Sequence, residues 1–133
     1  MDDKELDDLT RKTAARLLGE QQKKEDSPYA LWRAFDPELA KHISRFFVGR
    51  LYAREVLSHR ERELCAIGAL VVRGFWEELH IHCHAALNVG ATREEVAEVI
   101  FQMSTYGGVP STVEGLRVLK KVLQARGEWE TAK

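Results

Sequence analysis

Three histidines lie at alternate positions in the segment 78–90, where the chain has its densest set of side chains able to do chemistry. Because each residue of an α-helix is rotated by about 100°, alternate residues point to nearly opposite sides, and three imidazoles so spaced cannot share one face. One of them has the spacing of an amphipathic apolar stripe, whose members are Phe75, Leu79, His82 and Ala86. The sequence therefore predicts that His82 faces inward and that His80 and His84 face solvent.

An inward histidine is either a core side chain bonded to a backbone carbonyl or one half of a proton-transfer pair. The second interpretation needs a partner, and Glu63 on the preceding predicted helix is aligned with apolar residues one and two turns later. Its carboxylate would orient the ring of His82 and raise its basicity. The alternative is a first-turn acid that favours the helix dipole, as expected for Glu61. Glu78, one turn before His82, is a third candidate.

The histidines and cysteines do not predict a metal or redox centre. His80 and His84 at i and i+4 have zinc-binding spacing, but no acid is placed as a general base would be, so we expect no metal site. Cys65 and Cys83 lie in different predicted helices, which excludes a Cys-x-x-Cys pair. We expect two small buried hydrophobes, because a disulfide between them is unexpected in a reducing compartment.

Helix signals occur throughout the chain, and no stretch alternates with the two-residue period of a strand. Asp36-Pro37 is an N-cap followed by proline, and predicts a helix to about Arg54. Capping boxes begin at Ser58, Thr92 and Ser111. Glycines at 74, 90 and 127 stand where helices should end. The predicted elements are a peripheral helix within 3–24, a connector with aromatic anchors at 25–35, and helices at 58–73, 75–89, 93–106 and 111–126.

The chain is predicted to be a single all-α domain, residues 1–133, with a peripheral N-terminal helix in 1–24 and a helical core in 36–127. The segment 64–72 has no charged residue, so its helix should be central to the bundle or to a subunit interface. The net charge of −1 excludes a basic field for nucleic acid or an anionic membrane. No apolar run spans a bilayer, and the acidic start is unlike a signal peptide, so we expect a cytoplasmic protein.

Several motifs in one order resemble the carboxymuconolactone decarboxylase family. They are Arg62-Glu63-Leu64, Glu78-Leu79-x-x-His82-x-x-Ala85-Ala86-Leu87-x-x-Gly90, Thr92-x-Glu94-Glu95-Val96 and Gln102-x-x-x-Tyr106-x-Gly108-x-Pro110. The resemblance extends from about residue 36 to residue 123 and also touches residues 16–19. It implies the all-helical, alkylhydroperoxidase D-like fold, a ring-like homo-oligomer that is a trimer or a hexamer, and sites near subunit contacts.

The resemblance places Glu63 and His82 on the Glu and His of the peroxide-reducing relay of the alkylhydroperoxidase D-like proteins. Phe75 and Glu78 occupy the two cysteine positions of that relay, and a disulfide cycle needs two thiols in contact. The peroxidase branch is thereby disfavoured. The chain resembles the decarboxylase branch instead, which also looks like a Glu and a His without the cysteine pair. That resemblance implies a cofactor-free lyase of aromatic-compound degradation. Its substrate would be 4-carboxymuconolactone or a related lactone or carboxylate.

In this interpretation His82 and Glu63 are catalytic, with His82 oriented by Glu63 as the proton donor or oxyanion partner. Glu78, Tyr106, Trp76 and Arg62 line the substrate site. The resemblance fails at Phe75-Trp76, where family decarboxylases often carry a polar or basic residue, so the groups that neutralise substrate carboxylates stay open between Arg62 and Arg73. A thiol-dependent antioxidant protein using Cys83 and a non-catalytic oligomeric binding protein are the alternatives. The tryptophans and the pair Phe46-Phe47 are expected chiefly to pack in the core or at interfaces.

Overall fold

The computed structural model describes all 133 residues, and every regular element is helical, so the predicted all-α class is confirmed. The elements are α1 (Asp3–Leu18), a 3₁₀ turn (Gly19–Lys23), α2 (Pro28–Phe35), α3 (Pro37–Ser44), a π-helical segment (Arg45–Tyr52), α4 (His59–Arg73), α5 (Trp76–Asn88), α6 (Arg93–Gln102), α7 (Ser104–Gly107) and α8 (Val109–Ala125). The chain divides into an N-terminal unit, residues 1–59, and a C-terminal unit, residues 60–133. The single-domain boundary stays a prediction.

Helix α1 begins with a reciprocal capping box, in which Asp2 and Glu5 each accept the backbone N–H of the other. It ends at Leu18, earlier than predicted, and the next residues tighten into the 3₁₀ turn, as helix ends often do. It packs against the π-helical segment, where a Cβ on Gly49 would collide with the Thr10 hydroxyl. The close approach of these two backbones therefore requires glycine at position 49.

The predicted connector at 25–35 is wrong, because residues 28–35 form helix α2. Ser27 caps it by accepting the N–H of Ala30 at 3.4 Å, and Pro28 occupies its first position. This is the same N-cap and proline pattern that identified the start of α3 at Asp36. The expected aromatic anchors are not buried either, since Phe35 is 90% exposed.

The helix predicted from Asp36 to about Arg54 is helical throughout 37–52 but changes its winding. Asp36 accepts the N–H of Leu39 at 3.0 Å, which confirms the cap, and the α-helix gives way to π winding at Arg45. The core interpretation of Phe46-Phe47 is wrong, since both side chains are exposed. Their rings pack on each other edge to face, with centroids 5.1 Å apart.

The core of the C-terminal unit is formed by α4, α5, α6 and α8, with the largest buried side chains at Ile67, Leu79, Ile100 and Leu123. The capping box at Thr92 is confirmed. The one at Ser111 is wrong, because α8 begins two residues earlier and the Ser111 hydroxyl donates to the Gly107 carbonyl at 3.0 Å. Helix 93–106 is interrupted at Met103. The three glycines predicted at helix ends have positive φ, as expected; they are Gly74, Gly90 and Gly127.

Helix α4 is not buried on all sides within the chain. Ile67, Gly68 and Val71 form its buried face, whereas Cys65 is exposed and Val72 is 38% exposed. The expectation that Cys65 is a buried hydrophobe is therefore wrong. The absence of charged residues does not distinguish a helix buried in the core from one buried at a subunit interface. In this chain, part of the apolar surface of α4 lies at the exterior. None of the helices combines the length and the apolar character needed to cross a membrane.

Candidate active site

Helix α5 positions His82 at the edge of its buried face. Leu79, Cys83 and Ala86 recur at helical spacing and are fully buried, which fixes the orientation of the helix. His82 follows Leu79 by three residues and precedes Ala86 by four, so it lies along the same face. Its side chain is 25% exposed. The inward direction predicted for His82 is what the structure has, although one side of the ring reaches solvent.

Helix α4 brings the carboxylate of Glu63 to this ring. The Glu63 side chain is 2% exposed, and its Oε2 lies 2.6 Å from Nδ1 of His82. An ionised carboxylate only accepts, so Nδ1 carries the hydrogen and donates it. The other ring nitrogen, Nε2, has no hydrogen-bond partner within the protein and is reached by solvent. The pair thus holds one nitrogen fixed and leaves the other available to a bound molecule.

The environment raises the pKa of His82 above its ordinary value of 6.5. Burial on its own would lower this pKa, because it penalises the charged ring. The hydrogen bond to Glu63, the charge of Glu63 and the charge of Glu78 act in the opposite direction and outweigh it. The surroundings therefore favour the protonated ring more than water would, and in that form Nε2 carries a proton that can pass to a bound acceptor.

The other residues predicted for the site have different positions. Glu78 is half-buried on α5, close enough for its charge to act on His82. Arg62 is half-buried on α4, next to Glu63. Trp76 packs against the core, and Tyr106, on α7, is 68% exposed; neither hydrogen-bonds to the His82–Glu63 pair. The structure thus joins Glu63 and His82 directly and adds the charge of Glu78 near the ring.

The sequence interpretation was wrong about His84, which is only 5% exposed. Its Nδ1 lies 3.4 Å from the guanidinium of Arg126, which also donates to Oδ1 of Asn88 at 3.0 Å. His80 is half-buried rather than solvent-facing, with its ring 4.9 Å from that of His84. The sequence predicts that the face of α5 carrying His80 and His84 is exposed to solvent. Because α5 packs on α8, the end of α8 covers this face.

Sequence reasoning missed this polar cluster of His84, Asn88 and Arg126. The sequence does show that His84 and Asn88 share one helix face, because they are spaced at i and i+4. No local pattern connects them to Arg126, which lies about forty residues further on. The contact is set by the packing of two helices.

Cys83 is buried and has no second thiol beside it. Burial, with a smaller contribution from the charge of Glu63, raises its pKa to about 12. The thiolate is the reactive form of cysteine, so at neutral pH this side chain is inert. The prediction that Cys83 is a small buried hydrophobe is confirmed.

Comparison with known proteins places these residues in a family. The carboxymuconolactone decarboxylase family model matches residues 37–121. A 15.0 kDa protein of Paracoccus denitrificans, described as uncharacterized and encoded in its nqo9–nqo10 intergenic region, is 35% identical over 94 residues, which are 69% of this chain and 70% of the relative.

Two further relatives are named as decarboxylases. The 4-carboxymuconolactone decarboxylase of Acinetobacter baylyi is 31% identical over 93 residues, 70% of this chain and 69% of the relative. The nitrosuccinic acid decarboxylase npaB of Metarhizium robertsii is 30% identical over 81 residues, 61% of this chain and 57% of the relative. The similarity therefore includes relatives named for two different acids.

Proposed function

This chain belongs to the carboxymuconolactone decarboxylase family, and we propose that it is a cofactor-free carboxy-lyase acting on 4-carboxymuconolactone or a related small lactone or carboxylate of aromatic catabolism. The observation that carries the proposal is the 2.6 Å contact between Nδ1 of His82 and Oε2 of Glu63, with Nε2 free to meet substrate. Such a pair supplies a positioned proton donor, which this reaction needs.

The proposed reaction breaks one carbon–carbon bond and forms one carbon–hydrogen bond. The substrate carboxylate leaves as carbon dioxide, and the bonding electrons delocalise through the conjugated lactone into a dienolate. His82, protonated on both nitrogens, gives its Nε2 proton to a different carbon of that dienolate and then regains a proton from solvent. Glu63 holds the ring in place and stabilises its charged form throughout.

Substrate carboxylates need cations, and the immediate neighbourhood of His82 is acidic. In the proposal the cations come from α4, as Arg62 beside Glu63 and as Arg73 at the end of the helix. The guanidinium carbon of Arg73 lies 5.0 Å from the ring centroid of Phe75, which is 48% exposed. This contact brings positive charge to the segment where the family pattern often has a basic residue. Glu78, Trp76 and Tyr106 complete the proposed substrate site.

A homo-oligomer is part of the proposal, as a ring-like trimer or hexamer. Its support is the number of large apolar side chains that the single chain leaves exposed, including Phe35, Phe46 and Phe47. A monomer in sedimentation velocity would contradict a site shared between subunits.

The thiol-dependent alternative is disfavoured by the raised pKa of Cys83 and by its burial. Peroxide reduction through a thiol requires an accessible thiolate and a resolving partner. A peroxide assay with Cys83→Ser separates it from the lyase, because only a thiol mechanism predicts activity that this substitution abolishes.

The test is release of carbon dioxide from 4-carboxymuconolactone and from nitrosuccinic acid, with ultraviolet absorbance following the lactone. Wild type should turn over at least one of the two, and His82→Ala should lose roughly 100-fold or more in kcat. His42→Ala, an exposed histidine on α3, and Glu77→Gln, an exposed acid on α5, are matched controls that should retain activity. Full turnover by His82→Ala contradicts the proposed role.

A further inference from the structure

A cleft of about 560 Å³ lies in the C-terminal unit, between α6, α8 and the segment that follows α8. This volume is in the range of sites for small molecules. Apolar side chains from both helices line its interior, among them Phe101 and Leu116, and Trp129 contributes from the terminal segment. No lining residue comes from α4 or α5, so the cleft contains neither Glu63 nor His82.

A turn at the end of α8 places Trp129 beside the cleft. The N–H of Gly127 donates to the carbonyl of Gln124 at 3.0 Å, and the N–H of Glu128 donates to that of Leu123 at 2.8 Å. These are the two bonds of a Schellman motif, with glycine at the left-handed position, φ +70°. The motif reverses the chain, so Trp129 packs back against residues of α8.

Two cations hold the indole of Trp129 at the cleft. Nζ of Lys120 on α8 lies 5.0 Å from the ring centroid, and the guanidinium carbon of Arg93 on α6 lies 5.3 Å from it. Arg93 also donates to the backbone carbonyl of Glu130 at 2.9 Å, which fixes the terminal segment to α6. Each cation–π contact of this kind contributes about 0.5–1 kcal/mol even at an exposed site.

Cations outnumber acids in the lining of this cleft, which contains Arg93, Arg117 and Lys120 but only one acid, Glu94. Lys120 forms no ion pair, and the acid near Arg93 is Glu94, at 4.0 Å and with a side chain that is 78% exposed. Arg117 also lines the cleft but is paired with Glu114. The cleft therefore combines an apolar interior with two cations, Lys120 and Arg93, that retain capacity for an anion.

We propose that this cleft binds a small amphipathic carboxylate, with its apolar body against Phe101 and Leu116 and its carboxylate at Lys120 and Arg93. A neutral apolar ligand would leave the Lys120 ammonium without a counter-charge. A second copy of the chain covering the cleft would have to bring a carboxylate to Lys120, because burying an unpaired ammonium is unfavourable. A ligand with one charged end matches both the apolar interior of the cleft and its cations, since its head group remains at the solvent-exposed edge.

Decanoate is the probe, with decan-1-ol as its uncharged match and decyltrimethylammonium as its match of opposite charge. Isothermal titration calorimetry on the full chain should show saturable binding of decanoate and weaker binding of both analogues. Lys120→Met keeps the aliphatic stem and removes the charge, and should weaken decanoate binding about tenfold, as loss of one charge-assisted hydrogen bond does. Lys121→Met, on the exposed side of α8 and outside the cleft, is the matched control and should bind normally.

Ala97→Phe fills the cleft from α6 and should abolish binding while circular dichroism shows an intact helical fold. His82→Gln and Glu63→Gln should bind decanoate as wild type does, so failure of the proposed catalytic role leaves this result unaffected. The proposal is overturned if wild type shows no binding up to about 1 mM, or if Lys120→Met and Lys121→Met behave alike. It is also overturned if Phe101→Glu dissociates an oligomer while decanoate fails to bind, because the cleft is then an interface between copies.

Discussion

Nδ1 of His82 lies 2.6 Å from Oε2 of Glu63 and so links helices α4 and α5 through two titratable groups within the C-terminal unit. A carboxylate as buried as that of Glu63 is tolerated only with a partner that is charged or donates hydrogen bonds. The contact therefore compensates the burial of the Glu63 carboxylate and, in the proposed mechanism, also holds the proton donor. These two roles are separable by experiment.

Removing His82 alone should destabilise the protein because it leaves the buried carboxylate of Glu63 without its partner. We expect His82→Leu to lower the free energy of unfolding by about 3 kcal/mol. The double variant Glu63→Leu with His82→Leu should recover part of this loss. Urea unfolding of the four proteins in the cycle gives the coupling, and a coupling of zero would mean that the contact has no energetic role.

Stability should depend on pH through His82. Its pKa is raised in the folded protein, so the folded state binds the proton more tightly than the unfolded chain. This contribution is fully present below the unfolded pKa of about 6.5 and is lost as pH rises through the raised folded value. The free energy of unfolding of wild type should fall across that window more steeply than that of His82→Gln. Equal slopes in the two proteins would contradict the raised pKa.

The two cysteines should differ in reactivity. Cys65 is exposed, whereas Cys83 is buried with its pKa raised to about 12. Iodoacetamide at pH 8 should therefore modify Cys65 in the native protein and leave Cys83 unmodified until the chain unfolds, as read by peptide mass spectrometry. Cys65→Ser provides the control, since it should show no rapid labelling. Rapid modification of Cys83 in that variant would revive the thiol alternative.

Gly49→Ala should destabilise the packing of α1 on the π-helical segment. The added Cβ would collide with the hydroxyl of Thr10, which donates to the Leu6 carbonyl at 2.7 Å. We expect a loss of about 1–3 kcal/mol in thermal or urea unfolding, the usual result of overpacking. Thr10→Ala removes the obstacle, so the double variant should regain stability relative to Gly49→Ala. Equal stability of Gly49→Ala and the double variant would mean that the collision with Thr10 is not the cause of the loss.

Local signals predicted the helices well where a cap and an apolar period coincided. Asp36-Pro37 and Thr92 mark helix starts as expected, because an N-cap acts on backbone donors within three residues. The same rule applied to Ser27-Pro28 would have found α2. The prediction at Ser111 was wrong because a capping-box pattern does not exclude an earlier start, and α8 begins at Val109 with Gly108 as its N-cap.

For the site, helical spacing gave the direction of His82 and the alignment of Glu63, since both are properties of a single helix. Long-range packing decided the remaining positions. His84 has the spacing of a polar face yet is covered by Arg126 from the end of α8. Gly127 predicts where α8 ends, but not that Trp129 then contacts Lys120. Contacts between distant elements require the packed structure.

The pH profile of kcat, compared between wild type and Glu63→Gln, tests most directly whether His82, held protonated by Glu63, is the proton donor. Activity of wild type should fall at alkaline pH as His82 loses its proton, at a value above 6.5 because the pKa of this ring is raised. Glu63→Gln removes the carboxylate but keeps its shape, so burial dominates and the alkaline limb should move to lower pH, with a reduced maximum. An alkaline limb at the same pH in both proteins would contradict the account.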